Sequence, residues 1–313
     1  MKQRFRVVFM GTPDFSVPAL DAVHAAGHDI VLVVTQPDKP RGRGRKLDAP
    51  PVKKSAIRLR RPVIQPVSLR DETIRQTLRT AQADFFVVVA FGHILTQTVL
   101  DMPKHGCINV HASLLPRYRG PAPIHWAVIN GEKETGVTTM MMEKGLDTGD
   151  ILLKAAEPVA ADDTAGSLHD RLAVLGARLL CQTLDGFAEG TIRRVPQDHS
   201  LATYAPLLKK TDGLIDWQKP ATLIESFIRG MNPWPGAFTF WGNRRLKIFR
   251  TEATAAATTA PPGTIIKSAA NELTVATGQG RLAILEIQEA SGSRLPVSEF
   301  LRGFRIAPGD VLA

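Results

Sequence analysis

The sequence contains little cysteine and no long apolar run. Its 313 residues include only Cys107 and Cys181, which is too few for a disulfide framework, so we expect a cytoplasmic protein. No apolar run approaches the roughly 18 residues that a membrane span requires. The first residues lead directly into an apolar strand pattern without a cleavable leader, and we therefore expect no secretory signal.

The sequence also lacks the glycine motifs of nucleotide-binding enzymes. Apolar runs at residues 4–10, 29–35 and 84–90 alternate with helical patterns at 14–26, 52–59 and 71–81. Continuous apolar strands separated by helices predict a mostly parallel sheet covered on both faces, a doubly wound, Rossmann-like α/β domain. The turn after the first run, GTPDF, has no G-x-G-x-x-G spacing, which argues against a dinucleotide enzyme.

A change in texture along the chain predicts two domains. Further strands at 135–143 and 151–155 and a long helix at 164–189 complete the first one. From residue 213 onward, short strands separated by turns favour a small, OB-like β-barrel. We therefore predict a catalytic domain over residues 1–190, a linker over 191–210 and the barrel over 211–313.

Positive charge is concentrated in one segment. The formal net charge is +9, and residues 36–61 hold ten Lys and Arg against Asp38 and Asp48, which gives that segment +8. Such a run is often only a solvated face. Arginines that alternate with glycine at residues 41–45 instead favour an anionic partner.

The stretch at residues 106–120 is the best candidate for an active site. A strand over residues 107–111 would direct Cys107, Asn109 and His111 to one face, at a carboxyl end where open α/β sheets bind ligands. Asp147, in a turn between Gly145 and Gly149, is the third candidate. His111 could move protons, Asn109 could donate to an oxyanion, and Asp147 could orient His111 or relay a proton through water.

Structural alternatives exist for each of these residues. Asn-x-His within a strand is commonly structural, and Asp-Thr-Gly-Asp is commonly a simple turn. His105, Cys107 and His111 could be read as metal ligands, although a fourth ligand has no candidate. Cys107 could be read as a nucleophile, although nothing in the sequence argues for an activated thiol.

A longer pattern resembles a known family. Residues 109–123 (NVHASLLPRYRGPAP) closely resemble the signature of the 10-formyltetrahydrofolate-dependent formyltransferases. Supporting pieces span both predicted domains: residues 8–16 (VFMGTPDFS), 35–40 (TQPDKP), 42–44 (GRG), 90–95 (AFGHIL), 145–150 (GLDTGD) and 232–236 (NPWPG). One departure is the richness of the basic loop in arginine, which we interpret as greater phosphate affinity.

The resemblance implies a complete set of roles. Formyl transfer from 10-formyltetrahydrofolate to the α-amine of charged initiator methionyl-tRNA would use Asn109, His111 and Asp147 as catalytic residues, without a metal. It implies a folate pocket lined by Phe91, Gly92, Ile94, Leu95, Ser113, Leu114, Leu115 and Pro116. It implies tRNA contacts from Arg41, Arg43, Arg45, Lys46, Lys209 and the barrel, and a monomer.

Three rival functions remain open at this point. A formyltransferase acting on a small amine, such as glycinamide ribonucleotide or a nucleotide sugar, shares the chemistry but does not need the basic loop or the barrel. A formyltetrahydrofolate hydrolase would be expected to carry a regulatory domain before the first strand. A non-catalytic RNA-binding protein would leave Asn109, His111 and Asp147 without a purpose.

Overall fold

The first half of the chain builds a large sheet. The computed structural model describes residues 3–41, 46–290 and 292–313. Within those ranges the strands up to residue 158 are β1 (Arg6–Gly11), β2 (Asp29–Val34), β3 (Lys39–Arg41), β4 (Lys46–Asp48), β5 (Val63–Ile64), β6 (Phe85–Val89), β7 (Cys107–His111), β8 (Glu134–Met141) and β9 (Ile151–Pro158). The helices up to residue 188 are α1 (Val17–Ala25), α2 (Pro51–Arg58), α3 (Glu72–Thr80), α4 (Gln97–Leu100), α5 (Pro123–Ile129) and α6 (Ala165–Ala188).

The sheet is mostly parallel, as predicted. Its order across the described residues is β5-β2-β1-β6-β7-β8-β9. The pairs from β5 to β7 are parallel, whereas β7 with β8 and β8 with β9 are antiparallel. The chain builds outward from β1 in one direction and then restarts at β6 in the other, so strand order reverses between β1 and β6, and β7 is the next strand beyond β6.

Both faces of the parallel part are buried, which confirms the expectation from the continuous apolar runs. On one face Val8, Met10, Phe86 and Val88 pack with Leu78 of α3 in one hydrophobic cluster. The alternate residues Val7, Phe9, Val33, Phe85 and Val87 point the other way and are fully buried as well. A strand buried on both faces has no polar alternation to display, which explains its sequence pattern.

The second half of the chain forms an antiparallel sheet. Its described strands are β10 (Ala237–Trp241), β11 (Arg244–Thr254), β12 (Ile265–Ala269), β13 (Glu272–Ala276), β14 (Arg281–Glu289) and β15 (Leu295–Pro296). They pair in the order β10-β11-β14-β13-β12, with β15 on β14. Leu312 pairs with Trp241 of β10 and Val311 with Thr264 beside β12, so the last residues join the two edge strands and close the sheet.

The second half also contains two helices beyond those predicted from the sequence. These are α7 (Ala221–Gly230) and α8 (Val297–Gly303). Ile224 and Ile228 of α7, with Phe300 of α8, are buried in the hydrophobic core of this region. In the described part of the chain no helix is long and apolar enough to cross a membrane.

The chain divides into two compact units that are both discontinuous in sequence. The first contains residues up to Pro121, Glu134–Pro158 and His169–Ala205, and the second contains Ala122–Lys133, Val159–Leu168 and Pro206–Ala313. Ala122 belongs to the hydrophobic core of the second unit, and the partly buried Trp126 and Ile129 pack against that core. The single boundaries expected from the sequence, near residues 190 and 210, stay a prediction.

Candidate active site

Strand β7 holds Asn109 and His111 at the carboxyl end of the parallel sheet. Asn109 is flanked by Val88 of β6 and Met140 of β8, and His111 by Thr138 of β8. Because alternate residues of a strand share a face, both side chains emerge on the same side. Hydrogen-bonded neighbours on both flanks fix the strand, so neither side chain depends on a loop for its position.

The turn after β8 brings Asp147 to these two residues. Asn109 Nδ2 donates to Asp147 Oδ1 at 3.4 Å. Asp147 Oδ2 lies 3.7 Å from His111 Nδ1 and accepts a hydrogen bond from the backbone N–H of Gly120 at 2.8 Å. The structure therefore places the three residues singled out from the sequence in one cluster, although 38 residues separate Asn109 from Asp147.

The backbone of this turn is unusually constrained. Asp147 has a φ of +51°, a left-handed conformation that non-glycine residues seldom adopt. A Cβ atom on Gly149 would lie 1.9 Å from the carbonyl oxygen of Met141, so only glycine fits that position. A left-handed aspartate in a glycine-bounded turn is costly, and such strain is common at functional sites.

Gln197 locks the turn from outside the predicted site. Its side chain is buried, and its Nε2 atom donates to the carbonyl oxygens of Asp147 and Gly149, both at 2.8 Å. Its Oε1 atom accepts from Arg119 Nη2 at 2.6 Å and from Arg119 Nε at 3.1 Å. Nothing in the local sequence around residue 197 signals this role, because both partners lie far away along the chain.

The hydrogen bonds of His111 define which ring nitrogen carries a proton. His111 Nε2 lies 2.9 Å from the carbonyl oxygen of Tyr118. A carbonyl oxygen only accepts, so Nε2 carries the hydrogen in the neutral ring. His111 Nδ1 then faces Asp147 and is the atom free to take up or release a proton.

The loop after β7 is fixed by internal hydrogen bonds. Ser113 Oγ donates to the carbonyl oxygen of Arg117 at 2.6 Å, and Thr138 Oγ1 donates to the carbonyl oxygen of Ser113 at 2.6 Å. Leu115 is fully buried and packs with Met140 and Ile151. Of the four predicted folate residues here, Ser113 and Leu115 are buried, whereas Leu114 and Pro116 are half-buried.

The second predicted folate segment follows β6. Phe91 and Leu95 are buried in the hydrophobic cluster of the first unit, so their side chains serve the core. Gly92 is exposed with a φ of +78°, and Ile94 is 92% exposed. A ligand at this segment would meet Ile94 and the backbone, and the assignment of all eight folate residues stays a prediction.

The basic segment is partly neutralised by acidic neighbours. β3 and β4 pair as an antiparallel hairpin that includes Arg41 and Lys46, whereas Arg43 and Arg45 lie outside the described residues. Four other cations of the segment form ion pairs: Lys53 with Asp38, Lys54 with Asp48, Arg58 with Asp21 and Arg61 with Asp29. Hydrogen bonds from Lys53 and then Gln65 lower the pKa of Asp38. The remaining tRNA candidate, Lys209, is exposed just before a short 3-10 turn.

The described residues offer no alternative active site built on Cys107 as a nucleophile or on a bound metal. Cys107 is buried, its Sγ donates to the carbonyl oxygen of Leu100 at 3.6 Å, and burial raises its pKa to about 12. The thiol therefore stays protonated near neutral pH and is a poor nucleophile. His105 instead packs against the rings of Phe5 and Phe85, and no group of three metal-ligating side chains occurs in the ranges described.

Comparison with known proteins identifies the class. A model described as formyl transferase matches residues 4–184, and a second, formyl transferase C-terminal domain, matches residues 207–305. Because the first match alone covers more than half of the chain, the protein belongs to the formyl transferase family. It is an enzyme of the kind that transfers formyl groups.

The relatives point to one member of that family. Methionyl-tRNA formyltransferase from Pelotomaculum thermopropionicum is 53% identical over 98% of both chains. The methionyl-tRNA formyltransferase of Desulforamulus reducens is 50% identical over 98% of this chain and 97% of its own. The crystal structure of an N-formyltransferase from Helicobacter canadensis, 19% identical, matches in fold over 89% of this chain and 98% of that one, with a TM-score of 0.69.

Proposed function

We propose that this chain transfers the formyl group of 10-formyltetrahydrofolate to the α-amine of initiator methionyl-tRNA. The observation that carries the proposal is the convergence of Asn109, His111 and Asp147 on one carboxylate-centred cluster at the carboxyl end of the sheet. The similarity to methionyl-tRNA formyltransferases over almost the entire chain supports the choice of acceptor.

The reaction begins with the amine. A free α-amine titrates near pKa ~8, and only its neutral form has the lone pair that attacks the formyl carbon. The new C–N bond converts the formyl oxygen into an oxyanion. Asn109 Nδ2 donates to that oxygen, and His111, which takes the proton lost by the amine on Nδ1, then adds positive charge nearby, so both stabilise the tetrahedral species.

Collapse of the tetrahedral species completes the transfer. The bond between the formyl carbon and N10 of the folate breaks, while the amine loses one proton and N10 gains one. His111 Nδ1 is placed to move that proton because Nε2 is committed to the Tyr118 carbonyl. Asp147 Oδ2, 3.7 Å from Nδ1, faces that nitrogen and keeps the ring oriented.

The two substrates are assigned to different surfaces in this proposal. The folate lies against the loop residues from Ser113 to Pro116, which follow β7, and against the loop from Phe91 to Leu95. The tRNA lies against Arg41, Arg43, Arg45 and Lys46 of the basic segment, against Lys209, and against the second unit. Conversion of Arg41, Arg43 and Arg45 to alanine would flatten the salt dependence of tRNA binding by about 0.7–0.9 units per lost phosphate contact.

Arg58→Ala is the matched control for the arginine substitutions. Arg58 lies in the same basic segment but is paired with Asp21, so its removal leaves the tRNA salt slope intact. An unchanged salt slope for tRNA binding in the triple variant would show that these arginines form only a solvated face. We further propose a monomeric, cytoplasmic enzyme, which sedimentation and cell fractionation would test.

The deciding experiment follows the labelled formyl group. Purified protein is incubated with 10-formyltetrahydrofolate that carries a radiolabelled formyl group and with charged initiator tRNA. Label is expected in the methionine released from the tRNA, and none is expected with uncharged tRNA. Transfer to glycinamide ribonucleotide or a nucleotide sugar instead would support a small-amine enzyme, and free labelled formate would support a hydrolase.

A further inference from the structure

Tyr204 presents an exposed aromatic ring beside the catalytic cluster. It belongs to the first compact unit, yet 59% of the residue is exposed. In the described part of the chain its hydroxyl has no hydrogen-bond partner. An exposed aromatic ring beside a reaction centre is a surface on which a planar ligand can stack.

The backbone around the ring is firmly held. The backbone of Tyr204 forms a parallel bridge with Arg119. Arg119 N donates to the carbonyl oxygen of Thr203 at 2.8 Å, and Ala205 N donates to that of Arg119 at 2.7 Å. Thr203 Oγ1 accepts from Tyr118 N at 2.8 Å. The segment 203–205 is therefore part of the site's framework, and the backbone that carries the ring is held without a bound substrate.

Gly120 is the surface against which the ring rests. A Cβ atom at Gly120 would lie 2.6 Å from Cε2 and 3.0 Å from Cδ2 of Tyr204, so only a glycine allows the ring to come this close. The same Gly120 donates its N–H to Asp147 Oδ2. One glycine thus links the exposed ring to the carboxylate at the centre of the cluster.

The carboxylate of Asp147 separates two sides of the site. Its Oδ1 atom accepts from Asn109, whereas its Oδ2 atom accepts from Gly120 and faces His111. Because Asn109 is the oxyanion donor of the mechanism, the formyl oxygen belongs on the Oδ1 side. The incoming amine, which surrenders a proton to His111, then belongs on the Oδ2 side, where Gly120, the glycine that the Tyr204 ring approaches, donates its N–H.

We propose that Tyr204 is a stacking platform for the 3′-terminal adenine of the aminoacylated tRNA. This inference rests on the proposed function and adds a residue that positions its acceptor. The reacting amine is joined through the amino acid and its ester to the ribose of that terminal nucleotide, so the base must lie near the amine. Stacking on an aromatic ring is strong and needs no donor pattern on the protein.

A fixed positive charge accompanies the ring. The Arg119 guanidinium is held by Gln197 Oε1 and by His199 Nδ1, the latter at 3.1 Å from Nη2. A guanidinium that is already oriented loses little entropy when it meets a phosphate. The combination of a planar ring and an adjacent cation matches a nucleotide better than it matches a neutral apolar ligand.

Binding of two tRNAs to three enzymes would test the proposal. The tRNAs are the uncharged initiator with its 3′ adenosine and the same molecule ending one nucleotide earlier. Tyr204→Leu keeps apolar contact with Gly120 but removes the planar ring, and we expect it to weaken binding of the complete tRNA about tenfold. Its Kd for the shortened tRNA should equal that of the wild type. Tyr204→Phe, which keeps the ring, should bind both tRNAs as the wild type does.

A control and the kinetic constants complete the test. Leu201→Ala removes a side chain three residues before Tyr204 that is 61% exposed, and it should leave both Kd values unchanged. For Tyr204→Leu we expect a raised KM for methionyl-tRNA with an unchanged KM for the folate.

Three results would overturn the proposal. Equal weakening for both tRNAs would show that the ring does not meet the terminal base. A change in folate affinity alone would assign the ring to the formyl donor, and wild-type behaviour of Tyr204→Leu would leave it without a role. None of these outcomes touches the proposed function, which fails only if the wild-type enzyme does not formylate methionyl-tRNA.

Discussion

Two buried histidines of the first unit illustrate how surroundings separate a reactive group from a structural one. His111 and His28 are 6% and 4% exposed. His111 ends β7, donates from Nε2 to a carbonyl oxygen and directs Nδ1 at the carboxylate of Asp147. His28 precedes β2 at the opposite end of the strands, accepts a hydrogen bond from Phe5 N at 3.2 Å and stacks on the Phe5 ring.

The difference lies in what each ring can do with a second proton. A second proton on His111 Nδ1 would face the carboxylate of Asp147. Protonation of His28 would convert Nδ1 from an acceptor into a donor facing the Phe5 N–H, and burial lowers its pKa despite the opposing charge of Asp185. Burial by itself therefore does not mark a functional histidine, whereas burial together with a carboxylate on the free nitrogen does.

The largest expected effect comes from removal of the reactive ring. His111→Ala should lower kcat by about two to four decades because the group that moves the proton is gone. Folate binding and the urea midpoint should change little. His28→Gln serves as the comparison and should keep full activity per folded molecule, and comparable kcat losses in both variants would erase the distinction between the two histidines.

The carboxylate can be neutralised without a change in shape. Asp147→Asn keeps the acceptor for Gly120 N–H but removes the negative charge that faces His111 Nδ1. We expect folate to bind as before and kcat to fall by about two decades. Equilibrium folate binding beside single-turnover kinetics measures both quantities, and unfolding of the variant with unchanged activity per folded molecule would make Asp147 a structural turn residue.

The support beneath the carboxylate should matter less than the carboxylate itself. Gln197→Leu deprives the carbonyl oxygens of Asp147 and Gly149 of their donor, and a slightly displaced catalytic group costs rate. We expect kcat to fall about tenfold with both KM values nearly unchanged. The control is Gln288→Leu, because Gln288 Nε2 likewise donates to a backbone carbonyl, that of Gly292, but in the second unit. Equal activity of the two variants would show that Gln197 does not support the site.

The smallest effect concerns stability against pH. Because the pKa of His28 is lowered in the folded state, the unfolded chain binds more protons just below pH 6.5. Stability should therefore fall on acidification, by at most about 1.4 kcal/mol per pH unit from this group. Urea titrations at several pH values should show a shallower loss for His28→Gln, with His24→Gln as control, and identical slopes in wild type and His28→Gln would contradict the prediction.

Most of the fold could be predicted because strands that are buried on both faces appear in the sequence as continuous apolar runs. The runs at 29–35 and 84–90 fall within one or two residues of β2 and β6, and residues 107–111 coincide with β7. The hairpin of β3 and β4, α7 and α8 were missed. In α7 the buried residues Ala221, Ile224 and Ile228 lie at helical spacing directly after Pro220, so the sequence did carry the signal of this helix.

In the candidate site, too, residues with a local sequence pattern could be predicted, whereas residues that depend on distant contacts could not. Asn109 and His111 could be paired from their alternation on a strand, and Asp147 from the glycines around it. Gln197, Thr203 and Tyr204 could not be found, because each acts through backbone partners many residues away. Gly120 appeared in the family signature, but its contacts with Asp147 and Tyr204 depend on how three separate segments meet.

The interrupted course of the chain has a consequence for how this gene can be recombined. The core of the second unit draws on Ala122, Trp126 and Ile129 as well as on residues after Pro206. In a chimera that joins the first 205 residues of this chain to the remainder of a relative, residues from two different proteins would therefore have to pack in one core. Crossovers should survive most often where the residues that contact Trp126 and Ile129 match, so the two gene segments are expected to evolve together.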